Sequence, residues 1–205
     1  RSGLPENEMR SEPIPMAGVI MDKARIESLP SDTDPLKKYR DKRNFEITSE
    51  PTPSGEAGSP GQNFVIQKHS SRRLHYDLRL EVDGVLKSFA VPKGPSMNPR
   101  DKRLAIQTED HPLEYASFQG RIPEGEYGAG TVEIWDRGSY LNMSRKDGKE
   151  ISLAQALQEG HAAFWLEGVK LSGGFALTRT RQGWLLVKMR DEKADSESDA
   201  FKDRT

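Results

Sequence analysis

The chain has 205 residues, of which 34% are hydrophobic and 31% are charged, which fits one domain with polar segments left over. Its 31 basic and 32 acidic residues give a formal net charge of −1, which excludes a protein that binds nucleic acid through bulk charge alone. The absence of cysteine excludes a disulfide scaffold, a thiolate metal site and a cysteine nucleophile.

Composition divides the chain into three predicted regions. Residues 1–38 contain no aromatic residue and several prolines, so we expect a flexible N-terminal arm. Residues 39–189 should form the folded domain, although 46–62 is rich in Pro, Gly, Ser and Thr and predicts a long loop. Residues 190–205 are mostly polar and predict a flexible tail or linker. Because the sequence shows no apolar run near the ~20 residues of a membrane span and no signal-peptide pattern, we expect a soluble, cytoplasmic protein.

The clearest strand pattern covers residues 75–82, where apolar and polar side chains alternate. One face of this strand should therefore pack in the core, and the other should carry the chemistry. Asp83 and Gly84 follow it directly and predict a tight hairpin turn into a second strand at 85–91.

The rest of the predicted domain consists of short strands and one helix. Ser152 and Gln155 have capping-box spacing and Gly160 follows as a stop signal, so 152–159 should be helical. This pattern indicates a mainly β fold, an antiparallel barrel or sandwich with one or two short helices. Further strands are predicted at 64–66, 103–109, 131–135, 162–166, 174–180 and 184–188.

His75 and Asp77 are candidate metal ligands. They lie two positions apart on the polar face of one predicted strand, about 7 Å apart at ~3.3 Å per residue, so they can converge on one ion. His69, at the end of the preceding apolar strand, can supply a third ligand, and this set favours Mn, Fe, Co or Zn over Ca or Mg. The spacing of His75 and Asp77 alone is equally compatible with ordinary solvated side chains on the outer face of a half-buried strand. Arg79 on the same face favours a metal site that also binds an anion.

Two other segments carry polar or glycine-rich patterns. His111 is a further catalytic candidate, although a loop histidine is more often a surface residue. The glycines of residues 125–130 lack the lysine and the strand-to-helix context of a phosphate-binding loop, so they predict a tight turn with positive φ angles.

Several longer segments, in order along the chain, closely resemble one known family, the 3′-phosphoesterase domain of the DNA ligase D system of bacterial and archaeal non-homologous end joining. The segments are FVIQKH at 64–69, RLHYDLRL at 73–80, DGVLKS at 83–88, VPKG at 91–94, HPLEY at 111–115, and IPEGEYG at 122–128 continuing to IWD at 134–136. The resemblance implies a β-barrel that uses Mn²⁺ to trim DNA 3′ ends. Such a domain removes a terminal ribonucleoside and then the remaining 3′-phosphate, leaving a 3′-hydroxyl.

Transferred position by position, the resemblance implies roles for individual residues. Mn²⁺ is the implied cofactor, with Co²⁺ or another divalent transition metal as a substitute. The implied metal ligands are His69, His75 and Asp77. The implied catalytic residues are His111, Arg79 and Tyr115. The implied substrate-binding residues are Gln67, Lys93, Arg103, Glu109, Arg43 and Glu50. Asn44 stands where the family usually has an aspartate.

The same resemblance implies DNA 3′ ends as the substrate, and ligase or polymerase domains and a Ku-type protein as partners near the nucleoid. Two other functions stay open at this point. His75, Asp77 and His111 also fit the two-histidine, one-carboxylate triad of a non-heme iron oxygenase on a β-fold. A non-catalytic module that docks on DNA ends would bind the same ends without turnover.

Overall fold

The computed structural model describes residues 34–54 and 61–195. Residues 1–33 of the predicted arm, 55–60 of the predicted loop and 196–205 of the predicted tail lie outside this described part. The described residues from Pro35 onward belong to one compact unit. No helix within them is long and apolar enough to cross a bilayer.

The domain is a closed antiparallel β-barrel of eight strands, so the predicted mainly β barrel is confirmed. The strands are β1 (Asn63–Ser70), β2 (Leu74–Val82), β3 (Val85–Val91), β4 (Arg103–Gln107), β5 (Gly120–Ile122), β6 (Gly130–Asn142), β7 (Arg145–Lys146), β8 (Lys149–Glu150), β9 (His161–Gly168), β10 (Ser172–Thr180) and β11 (Gly183–Lys188). Going around the barrel, the strand order is β1-β2-β3-β4-β11-β10-β9-β6, and β6 pairs again with β1 to close it.

Two local predictions are confirmed with the expected geometry. Asp83 and Gly84 join β2 to β3 with φ angles of 50° and 79°, the left-handed pair that a two-residue hairpin turn needs. The predicted helix is α2 (Leu153–Glu159), where Ser152 Oγ accepts a hydrogen bond from the Gln155 amide and Gly160 ends the helix at φ 95°.

Three features differ from the sequence-based expectation. A short helix, α1 (Lys37–Asp41), begins within the predicted arm, and a 3₁₀ turn covers Leu113–Ser117. On β4 the alternation holds, but Leu104 and Ile106 are 39% and 47% exposed, whereas Ala105 is buried. Ala105 therefore faces the barrel interior, where it lies opposite Trp184 of β11 and belongs to the same apolar cluster.

The two faces of β2 contact two separate apolar clusters. Tyr76, Leu78 and Leu80 point into the barrel and pack in the larger cluster, which includes side chains from β9, β10 and β11. The intervening residues of β2 point outward, yet they are also buried. The smaller cluster covers this outer side and contains Tyr39, Leu86, Tyr115, Phe118, Ile122 and Val132. The segments that carry α1 and the 3₁₀ turn therefore cover the polar face of β2 on the outside of the barrel.

Candidate active site

The register of β1 against β2 brings the predicted metal ligands together. His69 of β1 lies opposite His75 of β2, and Gln67 lies opposite Asp77. One ligand atom from each of His69, His75 and Asp77 lies within 4.8 Å of the other two. Donor atoms this close together fit a site for one metal ion.

Backbone carbonyls orient both imidazoles toward Asp77. His69 Nε2 lies 2.8 Å from the Gly128 carbonyl oxygen, and His75 Nδ1 lies 2.9 Å from that of Arg73. Because a carbonyl only accepts, each of these nitrogens carries the hydrogen in the neutral ring. The lone pairs are then on His69 Nδ1 and His75 Nε2, which lie 3.5 Å and 3.7 Å from the Asp77 carboxylate. This arrangement of ligand and supporting carbonyl is the one that metal-binding histidines use.

Asp77 is ionised at neutral pH although it is buried. Burial raises the pKa of its carboxyl group, but the charge of Arg79 and the contacts with both histidines outweigh burial and hold the pKa below the usual value of 3.8. The ionised carboxylate and one ring nitrogen of each histidine therefore converge on the same point. The donor set fits a divalent transition metal ion.

Arg79 is held in place on the same outer face of β2. Its Nε donates to Gln67 Oε1 at 2.7 Å, and its Nη1 and Nη2 donate to Ser88 Oγ at 2.9 Å and Asp77 Oδ2 at 3.2 Å. Gln67 is itself anchored because its amide nitrogen donates to the carbonyls of Tyr115 and Phe118. The structure thus gives Gln67 a positioning contact beneath Arg79.

Arg43 joins the N-terminal segment to the site through buried contacts. Its Nε donates to Glu50 Oε1 at 2.8 Å and its Nη1 to Glu109 Oε1 at 3.1 Å, with every side chain of these pairs at most 4% exposed. The Tyr115 hydroxyl also donates to Glu50, at 2.9 Å. Burial raises the pKa of Tyr115, so this hydroxyl keeps its proton. Glu50 therefore orients both a cation and a phenol.

His111 stands between the two guanidinium groups. Its backbone pairs with Leu86 of β3, and its ring nitrogens lie 3.0 Å from Arg79 Nη1 and 3.3 Å from Arg43 Nη2. Its Nδ1 is also 2.9 Å from the Glu109 carbonyl; in the tautomer that donates from Nδ1 to this carbonyl, the Nε2 lone pair faces Arg43. Burial and the charges of Arg79 and Arg43 lower the pKa of His111 well below 6.5. The free site thus holds a neutral imidazole at neutral pH.

This lowered pKa of His111 predicts a pH-dependent stability of the metal-free protein. The unfolded chain binds a proton at His111 near pH 6.5, whereas the folded protein binds it only at lower pH, so the free energy of unfolding should fall as the pH drops below 6.5. One proton contributes at most about 1.4 kcal/mol per pH unit. Urea titrations from about pH 7 to about pH 5 should show a shallower dependence for His111→Gln than for the wild type.

The matched control is His161→Gln, which changes an exposed histidine outside the site. It should keep the wild-type dependence of the unfolding free energy on pH. Equal slopes for the wild type and His111→Gln would contradict the assignment of a neutral, destabilised imidazole.

Most of the side chains described above for the candidate active site line one pocket of about 270 Å³. Gln67 and Glu50 lie behind its wall, where they hold Arg79, Arg43 and Tyr115. Lys93 and Arg103 are not brought to it; they line a separate depression next to Asp101, which Arg103 contacts at 2.8 Å. The predicted residues that line the pocket are His69, His75, Asp77, Arg79, His111, Tyr115, Glu109 and Arg43.

Two residues at the site were missed by sequence reasoning. Lys42 donates to Glu109 Oε2 at 3.0 Å and lies over the ring of Tyr127, with 4.2 Å between its Nζ and the ring centroid. The signals that could have found them are the position of Lys42 next to the predicted Arg43 and the position of Tyr127 in the glycine-rich turn. Asn44 is exposed and accepts a hydrogen bond from the Glu46 amide, outside the pocket.

The sequence of the chain matches one known domain family. The family model described as the DNA Ligase D 3′-phosphoesterase domain matches residues 67–179. The chain is 48% identical over 171 residues to the Multifunctional non-homologous end joining protein LigD of Pseudomonas aeruginosa, covering 79% of this chain and 19% of that protein.

Mycobacterial relatives give similar values. Identity is 47% over 163 residues to the protein of the same name from Mycolicibacterium smegmatis, covering 78% of this chain and 21% of the relative. It is 46% over 162 residues to the Multifunctional non-homologous end joining DNA repair protein LigD of Mycobacterium tuberculosis, covering 78% and 20%. The chain spans about a fifth of the length of these relatives. Since the family model covers more than half of the chain, this chain belongs to the DNA ligase D 3′-phosphoesterase domain family.

Proposed function

We propose that this chain is a Mn²⁺-dependent phosphoesterase that trims DNA 3′ ends, removing a terminal ribonucleoside and then the remaining 3′-phosphate. The observation that carries this proposal is the position of Arg79, which contacts Asp77 of the candidate metal group at 3.2 Å and lines the same pocket. A metal ion and a guanidinium side by side can share the oxygens of one phosphate. Family membership supports phosphoester hydrolysis as the reaction class.

His69, His75 and Asp77 would hold the ion. Mn²⁺, Co²⁺ or another divalent transition metal would supply Lewis-acid stabilisation of charge on a phosphoryl oxygen. Arg79 would bind a second oxygen in an orientation that Gln67 and Ser88 maintain. The fixed donors would thus be arranged before the substrate arrives, which is how electrostatic stabilisation of a transition state is obtained.

His111 is the candidate proton donor in both steps. In the first, water adds to phosphorus and the bond to the 5′-oxygen of the terminal ribonucleoside breaks, and that oxygen takes up a proton. In the second, water displaces the primer 3′-oxygen and inorganic phosphate leaves. A phosphate anion bound between the two arginines offsets the charges that keep His111 neutral, so substrate binding favours its protonation at Nε2.

The test uses a primer-template with one 3′-terminal ribonucleotide, incubated with and without Mn²⁺, and resolves the product lengths and ends. We expect a Mn²⁺-dependent loss of one nucleoside that leaves a 3′-phosphate, followed by a 3′-hydroxyl. Binding without cleavage would replace the proposal with the DNA-end docking module. Substrate left uncut and unbound would contradict both functions.

The iron-oxygenase alternative needs His111 beside His75 and Asp77. Within the described residues, the candidate ligand group instead contains His69. His111 faces Arg79 and Arg43, an environment that disfavours a metal cation. The donor geometry therefore favours the phosphoesterase.

We also propose that the chain acts in the cytoplasm at the nucleoid, together with ligase or polymerase domains and a Ku-type protein. The names of the relatives, which refer to non-homologous end joining, support this setting. Pulling down those partners from cells with damaged DNA, using the wild-type chain, is the corresponding measurement.

Arg43→Ala should slow removal of a terminal 3′-phosphate more than it slows the preceding diester cleavage. A terminal monoester carries nearly two negative charges and lacks the distal nucleoside that helps to hold the diester. One charge-assisted contact of about 1.5–3 kcal/mol corresponds to a loss of roughly 10- to 100-fold in the second step. Rates on a ribonucleotide-ended primer and a 3′-phosphate-ended primer measure the two steps separately.

Because both rates come from the same preparation, their ratio does not depend on the folded fraction. Arg40→Ala, on the exposed side of α1, should leave both rates at the wild-type values. Equal losses on the two substrates would assign Arg43 to general binding, and unchanged rates would place it outside the substrate site.

A further inference from the structure

A second and larger cavity of about 1040 Å³ adjoins the pocket of about 270 Å³ described above. Ser71, Ile122, Tyr127 and Gly128 line both, so the two spaces are immediate neighbours. We call the larger space the side groove. Its walls are the β1–β2 turn, β5, the glycine-rich turn and the first residues of β6. The groove therefore opens directly beside the metal group.

The side groove presents two exposed arginines, and the carboxylates of Glu124 and Glu126 also line it. Arg72 extends from the β1–β2 turn, three residues from His75, and makes no ion pair among the described residues. Arg121 of β5 lies 3.5 Å from Glu124, and both side chains of this pair are largely exposed. An exposed ion pair of this kind contributes about 0–1 kcal/mol, so Arg121 can exchange its partner for another anion at little cost.

Tyr127 stands at the junction of the pocket and the side groove. The residue is 48% exposed, and Lys42 covers one side of its ring with the ammonium 4.2 Å from the ring centroid. An exposed aromatic ring at the mouth of a phosphate-binding pocket is a platform on which a base can stack. The neighbouring glycine-rich turn leaves room for this approach, because Gly125 and Gly128 carry no side chains.

The volumes of the two spaces indicate which part of the substrate each can hold. The pocket beside the metal group is close to the lower limit of about 300 Å³ for ligand sites, whereas the side groove lies near the upper limit of about 1,000 Å³. The pocket is thus suited to the reacting end of the strand, and the side groove has room for more than one nucleotide. Since the chain has a net charge of −1, strand binding must come from locally placed groups such as these.

We propose that the side groove binds the primer strand on the 5′ side of the reacting phosphate. Arg72 and Arg121 contact backbone phosphates, and Tyr127 stacks on the nucleotide next to the reacting phosphate. This inference rests on the proposed 3′-end activity and specifies the strand that the site must hold. The primer strand is common to both proposed reactions, whereas the departing nucleoside is present only in the first.

The test measures binding of a fluorescent primer-template that ends in a 3′-hydroxyl. This probe carries the primer strand but no reacting phosphate, so binding can be measured without turnover by anisotropy in the presence of Mn²⁺. We expect Arg72→Glu to raise the Kd at least about 10-fold. The slope of the logarithm of the binding constant against the logarithm of the salt concentration should fall by the amount that corresponds to about one phosphate contact. Tyr127→Ala should raise the Kd by about 5- to 100-fold, and Tyr127→Phe should restore most of the affinity.

Arg181→Glu is the matched control, since it reverses the charge of an exposed arginine on the β10–β11 turn, which lines neither space. It should bind the probe with wild-type affinity. Wild-type Kd values for both Arg72→Glu and Tyr127→Ala would overturn the proposal. An effect seen only with a ribonucleotide-ended strand would also overturn it, because the groove would then hold the departing nucleoside. If the wild type cuts neither 3′ end, the proposed function fails, while the binding data still decide the role of the groove.

Discussion

Asp77→Ala is expected to weaken Mn²⁺ binding by at least about 100-fold, because changes to groups outside the ligand set alone typically cost about 10- to 100-fold. Asp77 supplies the one carboxylate of the candidate ligand group. Its ionised form is favoured at neutral pH because the charge of Arg79 and the contacts with both histidines together outweigh the effect of burial on its pKa. Removing it leaves two neutral imidazoles without a negative charge to balance the cation. Isothermal titration with Mn²⁺ measures the affinity directly, and 3′-end cleavage should be lost in parallel.

Asp83→Asn is the matched control for this experiment. It makes a carboxylate-removing change on the same hairpin, at a turn residue with φ 50°, a conformation that asparagine tolerates well. Its Mn²⁺ affinity should equal that of the wild type. Asp77→Asn is informative because it keeps the size of the side chain, so thermal unfolding can separate metal loss from loss of structure. Wild-type Mn²⁺ affinity in Asp77→Ala would show that the ion binds elsewhere.

Arg79→Lys is expected to be nearly as damaging to cleavage as Arg79→Ala, with kcat lowered by about 10²–10³-fold in each. The guanidinium makes separate, directed contacts with Gln67, Ser88 and Asp77. A lysine ammonium is a single point charge and cannot reproduce this planar fork. Single-turnover rates on a 3′-phosphate-ended primer give the comparison.

Stability must be followed in both variants, because Arg79 and Asp77 form a buried pair. Breaking such a pair costs about 3–5 kcal/mol, and the alanine variant carries that cost in full. The lysine variant keeps the positive charge, so circular dichroism should show it folded at the assay temperature. Arg145→Lys, an exposed arginine paired with Glu150, is the control for the substitution itself. Near-normal kcat in a folded Arg79→Lys protein would show that positive charge alone is sufficient.

The local elements of the fold were predictable because each depends on contacts between residues close in sequence. The Asp83-Gly84 turn requires two left-handed φ angles, and α2 requires a cap at Ser152 and a stop at Gly160. The alternation along β2 likewise follows from strand geometry alone. On β4 the same alternation does not determine which face points into the barrel, and in the structure the buried residue is Ala105.

The candidate site was predictable in part for the same reason. His75 and Asp77 share a face because they are two residues apart on one strand, and Arg79 continues that face. Placing His69 beside them required the β1–β2 register, in which His69 lies opposite His75. The functional roles of these residues stay predictions that the variants above test.

The sequence by itself determined the strands, the hairpin, the capped helix and the polar face of β2, since these follow from side-chain period and turn chemistry. Only the tertiary structure decided that this polar face is covered. The cover depends on pairs far apart in the chain, such as Arg43 with Glu109 and Tyr115 with Glu50. It is this cover that lowers the pKa of His111 and buries Arg79, because desolvation and nearby charge act through space and not along the sequence. For the same reason Lys93 and Arg103, although matched by motif, lie in a separate depression.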